Sequence, residues 1–149
     1  MLPKFHLRSQ HLDLNDYLLL TIMCISVFYV NFNTTAVTNT LSAIQAELSL
    51  SSASAQWVIN IYLLTAASLI IIGGQLGDMY GRRVLFLIGV FSFWLAAMLI
   101  AAATSAELLL LGRGLQGIGA ALVTPGALAI VKVHIHEERH QAAIAAITA

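Results

Sequence analysis

The chain has 149 residues, of which 59% are hydrophobic and only 9% carry a charge, and its mean hydropathy is +0.87. Soluble domains have about 25% charged residues, so this composition excludes an ordinary water-soluble domain and indicates helices that lie in a membrane. The formal net charge is zero and no basic stripe is present, which argues against nucleic acid as a partner. The single cysteine, Cys24, lies in an apolar run, so no disulfide or thiolate metal site is expected.

Four apolar runs are long enough to cross a bilayer, which takes about 20 helical residues. They cover residues 17–41, 57–76, 84–103 and 108–131. Residues 141–149 begin a fifth apolar run that stops after about two and a half helical turns, too short to span. Residues 1–16 are expected to form a cytoplasmic amino-terminal segment. The predicted fold class is therefore an all-α integral membrane protein.

Basic residues are confined to alternate connections between these runs. They are Lys4 and Arg8 before the first run, Arg82 and Arg83 between the second and third, and Lys132 and Arg139 after the fourth. The other two connections contain Glu47 and Glu107 but no lysine or arginine. Because cytoplasmic connections carry an excess of basic residues, this asymmetry predicts a cytoplasmic amino terminus.

The first apolar run has a polar face. Its members are Asn31, Thr35, Thr38 and Ser42, with Thr34 and Asn39 close by. Spacings of four, three and four residues place the first set on one side of a helix, and this side is expected to point away from lipid. Two interpretations stay open, namely hydrogen bonding between helices and contact with a substrate.

The stretch GGQLGDMYGRR, residues 73–83, interrupts the apolar pattern between the second and third runs. Gly73, Gly77 and Gly81 recur every four residues, which would let a neighbouring helix approach closely. Asp78 and Arg82 are also four apart and can pair if the helix continues that far. A simpler interpretation is that a short inner loop uses glycine for its turn and arginine for topology.

Arg113 is the one basic residue placed within an apolar run. An arginine at membrane depth is costly, so it is expected to face the interior of the bundle or a watery cavity and to have a partner. Gln116, Gly117, Ala120 and Thr124 follow it on the same helix face and form a small, polar stripe suited to lining a cavity. The alternative is that Arg113 extends to the outer headgroups and only anchors the helix.

The segment HEERH, residues 136–140, matches the pattern H-E-x-x-H. Two histidines four apart on a helix can bind zinc with the glutamate as a general base, which would make the protein a membrane metalloprotease. No obvious third ligand accompanies the pair, so this remains the remote alternative. His134 and His136 could also bind metal adventitiously.

Three blocks of sequence carry a family resemblance. Gly74, Leu76, Asp78, Gly81, Arg82 and Arg83 form the pattern G-x-L-x-D-x-x-G-R-R. The block LLLGRGLQGIGAA contributes Arg113, Gln116, Gly117, Gly119, Ala120 and Ala121. These blocks resemble the loop between helices two and three and the helix-four motif of the major facilitator superfamily. The block QWVINIYLLTAA, residues 56–67, is similar to the start of helix two in its 14-helix drug:proton antiporter branch.

This resemblance implies a transporter rather than an enzyme. Residues 17–149 would form part of the amino-terminal half of the fold, with four transmembrane helices and the start of a fifth. The implied function is secondary-active efflux of drugs or other small organic molecules by alternating access, with no cofactor. The expected partners are membrane lipids, a small-molecule substrate, the remaining helices of the same carrier and, as a candidate coupling ion, protons. The expected location is a bacterial inner membrane.

The residues and the resemblance together define three sets of candidate site residues. The coupling and cavity residues are Asn31, Asn33, Thr35, Thr38, Arg113 and Gln116. The gate loop contains Gly74, Asp78, Gly81, Arg82 and Arg83. The helix-packing glycines are Gly73, Gly77, Gly117 and Gly119.

The sequence departs from the family pattern in helix one and in the loop between helices two and three. The antiporters usually have D-x-T-x-x-N-x-A-L-P in helix one, where this chain has NTTAVTNTLS, so Asn33 replaces the aspartate and Ser42 the proline. Met79 replaces the usual basic residue after Asp78. Because an asparagine does not titrate at physiological pH, proton coupling through position 33 is not supported.

The chain is too short to be a whole carrier of this superfamily, so several interpretations are open. Transporters of this superfamily have two six-helix halves with substrate bound between them, and four helices with the start of a fifth supply only part of one half. The chain is therefore expected to be the amino-terminal piece of a longer carrier. The alternatives are a truncated product and a small four-helix membrane protein that acts as an oligomer or a partner subunit.

Overall fold

The computed structural model describes residues 14–134, which form four helices. They are α1 (Leu14–Glu47), α2 (Ser52–Tyr80), α3 (Arg82–Ala101) and α4 (Ala106–His134). Each helix contains a segment long and apolar enough to cross a membrane. The prediction of an all-α membrane protein with four spanning helices is confirmed. The expected fifth helix, residues 141–149, and the HEERH segment lie outside the described residues.

The helices are longer than most of the apolar runs that predicted them. The apolar run marks only the part at hydrocarbon depth, whereas capping side chains fix where the helix begins. Ser51 caps α2, since its hydroxyl accepts a hydrogen bond of 3.1 Å from the backbone N–H of Ser54. Ser105 plays the same part for α4, accepting from the N–H of Leu108 at 3.3 Å. In contrast, α3 ends at Ala101, before the expected residue 103.

The connection between α2 and α3 is a single residue, Gly81. Its φ of +98° lies in the region that favours glycine, and its N–H donates to the carbonyl of Gly77 at 3.1 Å to close α2. The predicted connection over residues 77–83 is therefore wrong, because Asp78 belongs to α2 and Arg82 to α3. Gly81 also does not share a helix face with Gly77, since it lies outside both helices.

α4 is the central helix and contacts α1, α2 and α3. Two apolar clusters form around it. One contains Met23, Val27 and Val30 of α1, Tyr62 of α2, Phe86 and Phe93 of α3, and Ala120, Val123, Ala127 and Ile130 of α4. The other contains Val37, Leu50, Val58 and Leu109. These clusters fix α1 and α2 against the helix that carries Arg113.

The seam between α3 and α4 is built on glycines spaced seven residues apart, at Gly112, Gly119 and Gly126. A Cβ added at Gly119 would lie 2.8 Å from the backbone nitrogen of Phe93, and one at Gly126 would lie 3.2 Å from Cβ of Phe86. A seven-residue repeat keeps one helix face against a neighbour. The close approach of backbones is typical of helices packed in membranes.

α2 approaches α4 closely where α4 contains Pro125. Proline has no N–H, so the carbonyl of Ala121, four residues earlier, receives no hydrogen bond from position 125. A Cβ added at Gly73 would lie 2.5 Å from this oxygen. Nearer the start of α4, a Cβ at Gly117 would meet the Thr65 hydroxyl and lie 2.6 Å from the carbonyl of Tyr62. Glycine at positions 73 and 117 thus lets α2 lie directly on α4.

Candidate functional site: a buried arginine beside a polar cleft

Arg113 is fully buried between α2 and α4, with none of its surface exposed. Its Nε donates to the carbonyl of Val58 at 3.0 Å, and its Nη1 donates to Oε1 of Gln116 at 2.7 Å. The guanidinium carbon lies 4.4 Å from the centroid of the Tyr62 ring. The side chain thus points into the bundle, and the alternative in which it reaches the outer headgroups is wrong.

The partners of Arg113 explain how a charge is accommodated there. Burying a charge is costly unless hydrogen bonds and nearby dipoles replace water, and here a carbonyl, an amide oxygen and an aromatic face do so. A guanidinium only donates, so Gln116 must turn its oxygen toward it and its nitrogen away. Within the described chain, Nη2 of Arg113 and Nε2 of Gln116 are buried donors without an acceptor.

A cleft of about 400 Å³ lies beside this arginine, between α1, α2 and α4. Its polar side chains are Asn31, Thr34 and Thr35 from α1, Tyr62 from α2 and Thr124 from α4. Its apolar side chains are Val30, Leu63, Ala66, Ala67, Ile70, Ala120 and Ala121. Sequence analysis predicted that the first and fourth helices line a cavity, and the structure adds α2.

Tyr62 joins the cleft to the buried arginine. Only 6% of this residue is exposed, its ring lies over the guanidinium of Arg113, and it also lines the cleft. A cation over a desolvated aromatic ring is stabilised by about 2 kcal/mol. Sequence analysis gave Tyr62 no role, because the contact crosses from α2 to α4 and no spacing within one helix reveals it.

The polar face of α1 divides into two parts. Asn31 and Thr35 line the cleft, together with Thr34, whereas Thr38 is exposed outside it. Three of these hydroxyls donate to carbonyls of the preceding turn, from Thr34 to Val30 at 3.1 Å, from Thr35 to Asn31 at 3.2 Å and from Thr38 to Thr34 at 3.0 Å. These donors are therefore satisfied within α1 rather than by a neighbouring helix.

Asn33 lies on a different side of α1 from the cleft-lining residues. Its side chain is half-buried, and its Oδ1 is buried without a hydrogen-bond partner among the described residues. Neither Asn33 nor Gln116 lines the cleft. The structure therefore brings Gln116 directly to Arg113 and places Asn31 and Thr35 in the cleft, but it does not unite all six predicted cavity residues in one surface.

A second polar cluster lies at the corner between α2 and α3. Asp78 accepts from Nε and Nη2 of Arg82 at 3.0 and 2.9 Å, and Nη1 of Arg82 donates to the carbonyl of Ala129 at 3.2 Å. Arg82 thus connects the end of α2, the start of α3 and the part of α4 beyond its proline. The pairing of Asp78 and Arg82 was predicted from their spacing, but the two residues belong to different helices.

Gly74 and Arg83 of the predicted gate loop, and the neighbouring Gly77 and Met79, lie at less crowded or exposed positions. A Cβ at Gly74 would meet nothing within 4 Å, and one at Gly77 would lie 3.8 Å from Cγ of Arg82. Arg83 lies in the first turn of α3 and is exposed, as is Met79 in the last turn of α2. The contacts that join the three helices at this corner include those of Asp78 and Arg82.

Sequence reasoning missed part of the α3–α4 seam. Gly119 was predicted as a packing residue, but Gly112 and Gly126 were not, nor was Gly89, whose added Cβ would lie 3.1 Å from the carbonyl of Gly119. The repeat of seven residues on α4 was the signal that could have found two of them. Within residues 14–134 no group of histidine, cysteine or acidic residues is arranged to hold a metal ion.

Comparison with known proteins identifies a family whose members resemble this chain. A family model described as Major Facilitator Superfamily matches residues 22–149. The chain is 37% identical over 118 residues to a cephamycin export protein of Amycolatopsis lactamdurans, an overlap of 79% of this chain and 24% of that protein. It is 38% identical to a puromycin resistance protein of Streptomyces alboniger, over 75% of this chain and 22% of that protein.

A third relative is a tetracenomycin C resistance and export protein of Streptomyces glaucescens, 37% identical over 76% of this chain and 21% of that protein. The chain thus spans about a quarter of the length of these relatives. The resemblance drawn from three short blocks is confirmed.

Proposed function

Because this chain belongs to the Major Facilitator Superfamily, whose members are membrane transporters, we propose that it is the amino-terminal part of a secondary-active carrier that exports drugs or other small organic molecules by alternating access. Relatives named as export or resistance proteins support the efflux direction. The remaining helices of the carrier, membrane lipids and the substrate are its proposed partners. A bacterial inner membrane with the amino terminus in the cytoplasm is the proposed location.

The observation that carries this proposal is the burial of Arg113 beside the cleft. A charge held at membrane depth by Val58, Gln116 and Tyr62 is costly to maintain. Its contact with Tyr62, a residue that also lines the cleft, supports a role in coupling the occupancy of the cleft to movement of α2 against α4. The cleft would then be one wall of the substrate path, completed by the rest of the carrier.

The contacts of Arg82 support a second part of the mechanism. Asp78, Arg82 and the carbonyl of Ala129 join three helices at one end of the bundle. We assign this cluster, with Arg83, as a latch that closes the cytoplasmic end of the path in one state and opens in the other. Gly81, the one-residue connection, would allow α2 and α3 to change their relative angle.

The coupling ion is a separate question, because Asn33 stands where the antiporters have an aspartate. An asparagine cannot carry the proton, so coupling to protons would require a titrating group elsewhere in the carrier. Nothing in the structure of residues 14–134 favours the partner-subunit alternative. The family and the relatives reported above are transporters rather than proteases, which gives the HEERH interpretation no support.

The test is transport by everted membrane vesicles that contain the complete native protein. Substrate uptake into vesicles energised by an ion gradient is expected to require Arg113. Arg113→Lys keeps the charge but cannot donate to both Val58 and Gln116 in the same planar arrangement, so its rate is expected to fall at least about tenfold. Uptake that is independent of the gradient and unchanged in Arg113→Lys would contradict the proposed function.

A further inference from the structure

The cleft has two chemically different walls. The apolar wall comes mainly from α2 and α4, with Leu63, Ala66 and Ile70 among its residues, and the polar wall comes from Asn31, Thr34 and Thr35 of α1. None of the residues that line the cleft carries a charge. A molecule that fits both walls would have an apolar face and, on its opposite side, groups that form hydrogen bonds.

The polar wall is rich in acceptors. Thr34 and Thr35 use their hydroxyl hydrogens on carbonyls of their own helix, so their oxygens are left with lone pairs directed toward other donors. The amide of Asn31 can both accept and donate. A bound molecule would therefore satisfy this wall best if it brings hydroxyl or amide donors.

Fixed charge near the cleft is positive. Asp16, Glu47, Asp78 and Glu107, the acidic residues of the described part of the chain, lie in the first or last turns of their helices. Arg113 is instead buried two turns into α4, and its guanidinium lies over the ring of Tyr62, a residue that also lines the cleft. Because the burial of Arg113 limits the screening of its charge by water, this guanidinium opposes a second cation in the cleft.

We propose that this cleft selects uncharged, amphipathic molecules that carry hydroxyl or amide donors and rejects cations. The inference rests on the proposed transport function and specifies its substrate class. Asn31 is the residue on which the charge preference depends most directly, because it is exposed to the cleft and a single isosteric change converts its amide to a carboxylate.

The experiment compares two probes in cells that lack their own efflux pumps and express the complete native protein. Chloramphenicol is uncharged and has hydroxyl and amide donors, whereas ethidium is a planar cation. We expect energy-dependent efflux of chloramphenicol and background efflux of ethidium. In Asn31→Asp the ethidium rate is expected to rise at least about tenfold, because a carboxylate now faces the cation.

Asn39→Asp is the matched control, since it makes the same change about 12 Å further along α1, at an exposed residue outside the cleft. It should leave the ratio of the two rates as in the wild type. Wild-type efflux of ethidium as fast as that of chloramphenicol would overturn the charge preference while supporting transport. If the ethidium rate rises as much in Asn39→Asp as in Asn31→Asp, the charge preference cannot be assigned to the cleft. If neither probe is moved by any of the three proteins, this inference fails, whereas the proposed transport function is decided separately by the gradient-driven uptake and the Arg113→Lys variant described above.

Discussion

The guanidinium of Arg113 and the ring of Tyr62 form a cation–π pair that joins α4 to α2, with 4.4 Å between the guanidinium carbon and the ring centroid. Tyr62 also lines the cleft, so a molecule in the cleft and the buried charge would contact the same residue. Movement of the ring in response to a ligand would change the environment of Arg113.

Two substitutions of Tyr62 distinguish the contribution of its ring from that of its hydroxyl. Tyr62→Leu removes the aromatic face, and we expect a loss of about 2 kcal/mol of stabilisation of the buried charge and a large fall in transport. Tyr62→Phe keeps the face and is expected to retain most activity. The measurement is the initial transport rate of both variants at matched expression. Equal rates in Tyr62→Leu and the wild type would show that the pair has no role in transport.

Substitutions of Gln116 test whether its side chain stabilises the buried charge of Arg113. In Gln116→Leu the acceptor for Nη1 disappears while the charge stays buried, which is expected to cost about 3 kcal/mol. Gln116→Glu supplies a carboxylate of nearly the same shape and should keep the hydrogen bond. Thermal unfolding in detergent, followed for both variants, measures the difference. A Gln116→Leu protein as stable as Gln116→Glu would mean that Arg113 does not depend on this partner.

Asp78 is expected to matter for transport far more than for stability. Its carboxylate and Arg82 are 65% and 38% exposed, and ion pairs at such sites contribute about 0–1 kcal/mol. Asp78→Asn should therefore fold normally but transport more slowly, since the charge that holds the proposed latch is gone. Glu107→Gln, an exposed acidic residue in the first turn of α4, is the control. Full transport by Asp78→Asn would remove the latch from the mechanism.

The glycine seam predicts a position-specific effect of one methyl group. At Gly119 an added Cβ would lie 2.8 Å from the nitrogen of Phe93, whereas at Gly114, on the same helix, it would lie 3.7 Å from Cδ1 of Ile61. Gly119→Ala is therefore expected to destabilise the protein by about 1–3 kcal/mol through overpacking. Gly114→Ala should be neutral or slightly stabilising. The measurement is the unfolding temperature of each variant. Similar values for Gly119→Ala and Gly114→Ala would contradict the packing of α3 on α4.

The helices and the inward direction of Arg113 could be predicted from sequence for one physical reason. Hydrocarbon offers no hydrogen-bond partners, so a long apolar run must be helical, and a charge within it must find protein groups. The identity of those groups could not be predicted, because Val58 and Tyr62 approach Arg113 from another helix and the relative rotation of two helices depends on packing. The sharp turn at Gly81 was missed for a similar reason, since the glycines and charged residues around it suggested a short inner loop of several residues.

The apparent mass of the native protein, detected in membranes of the source organism with an antibody against its amino-terminal segment, tests the central claim most directly. If the chain is the amino-terminal part of a complete exporter, the antibody will detect a band several times heavier than the 16.0 kDa of these 149 residues. A band at 16.0 kDa alone would contradict that account and favour a small membrane protein that acts with a partner.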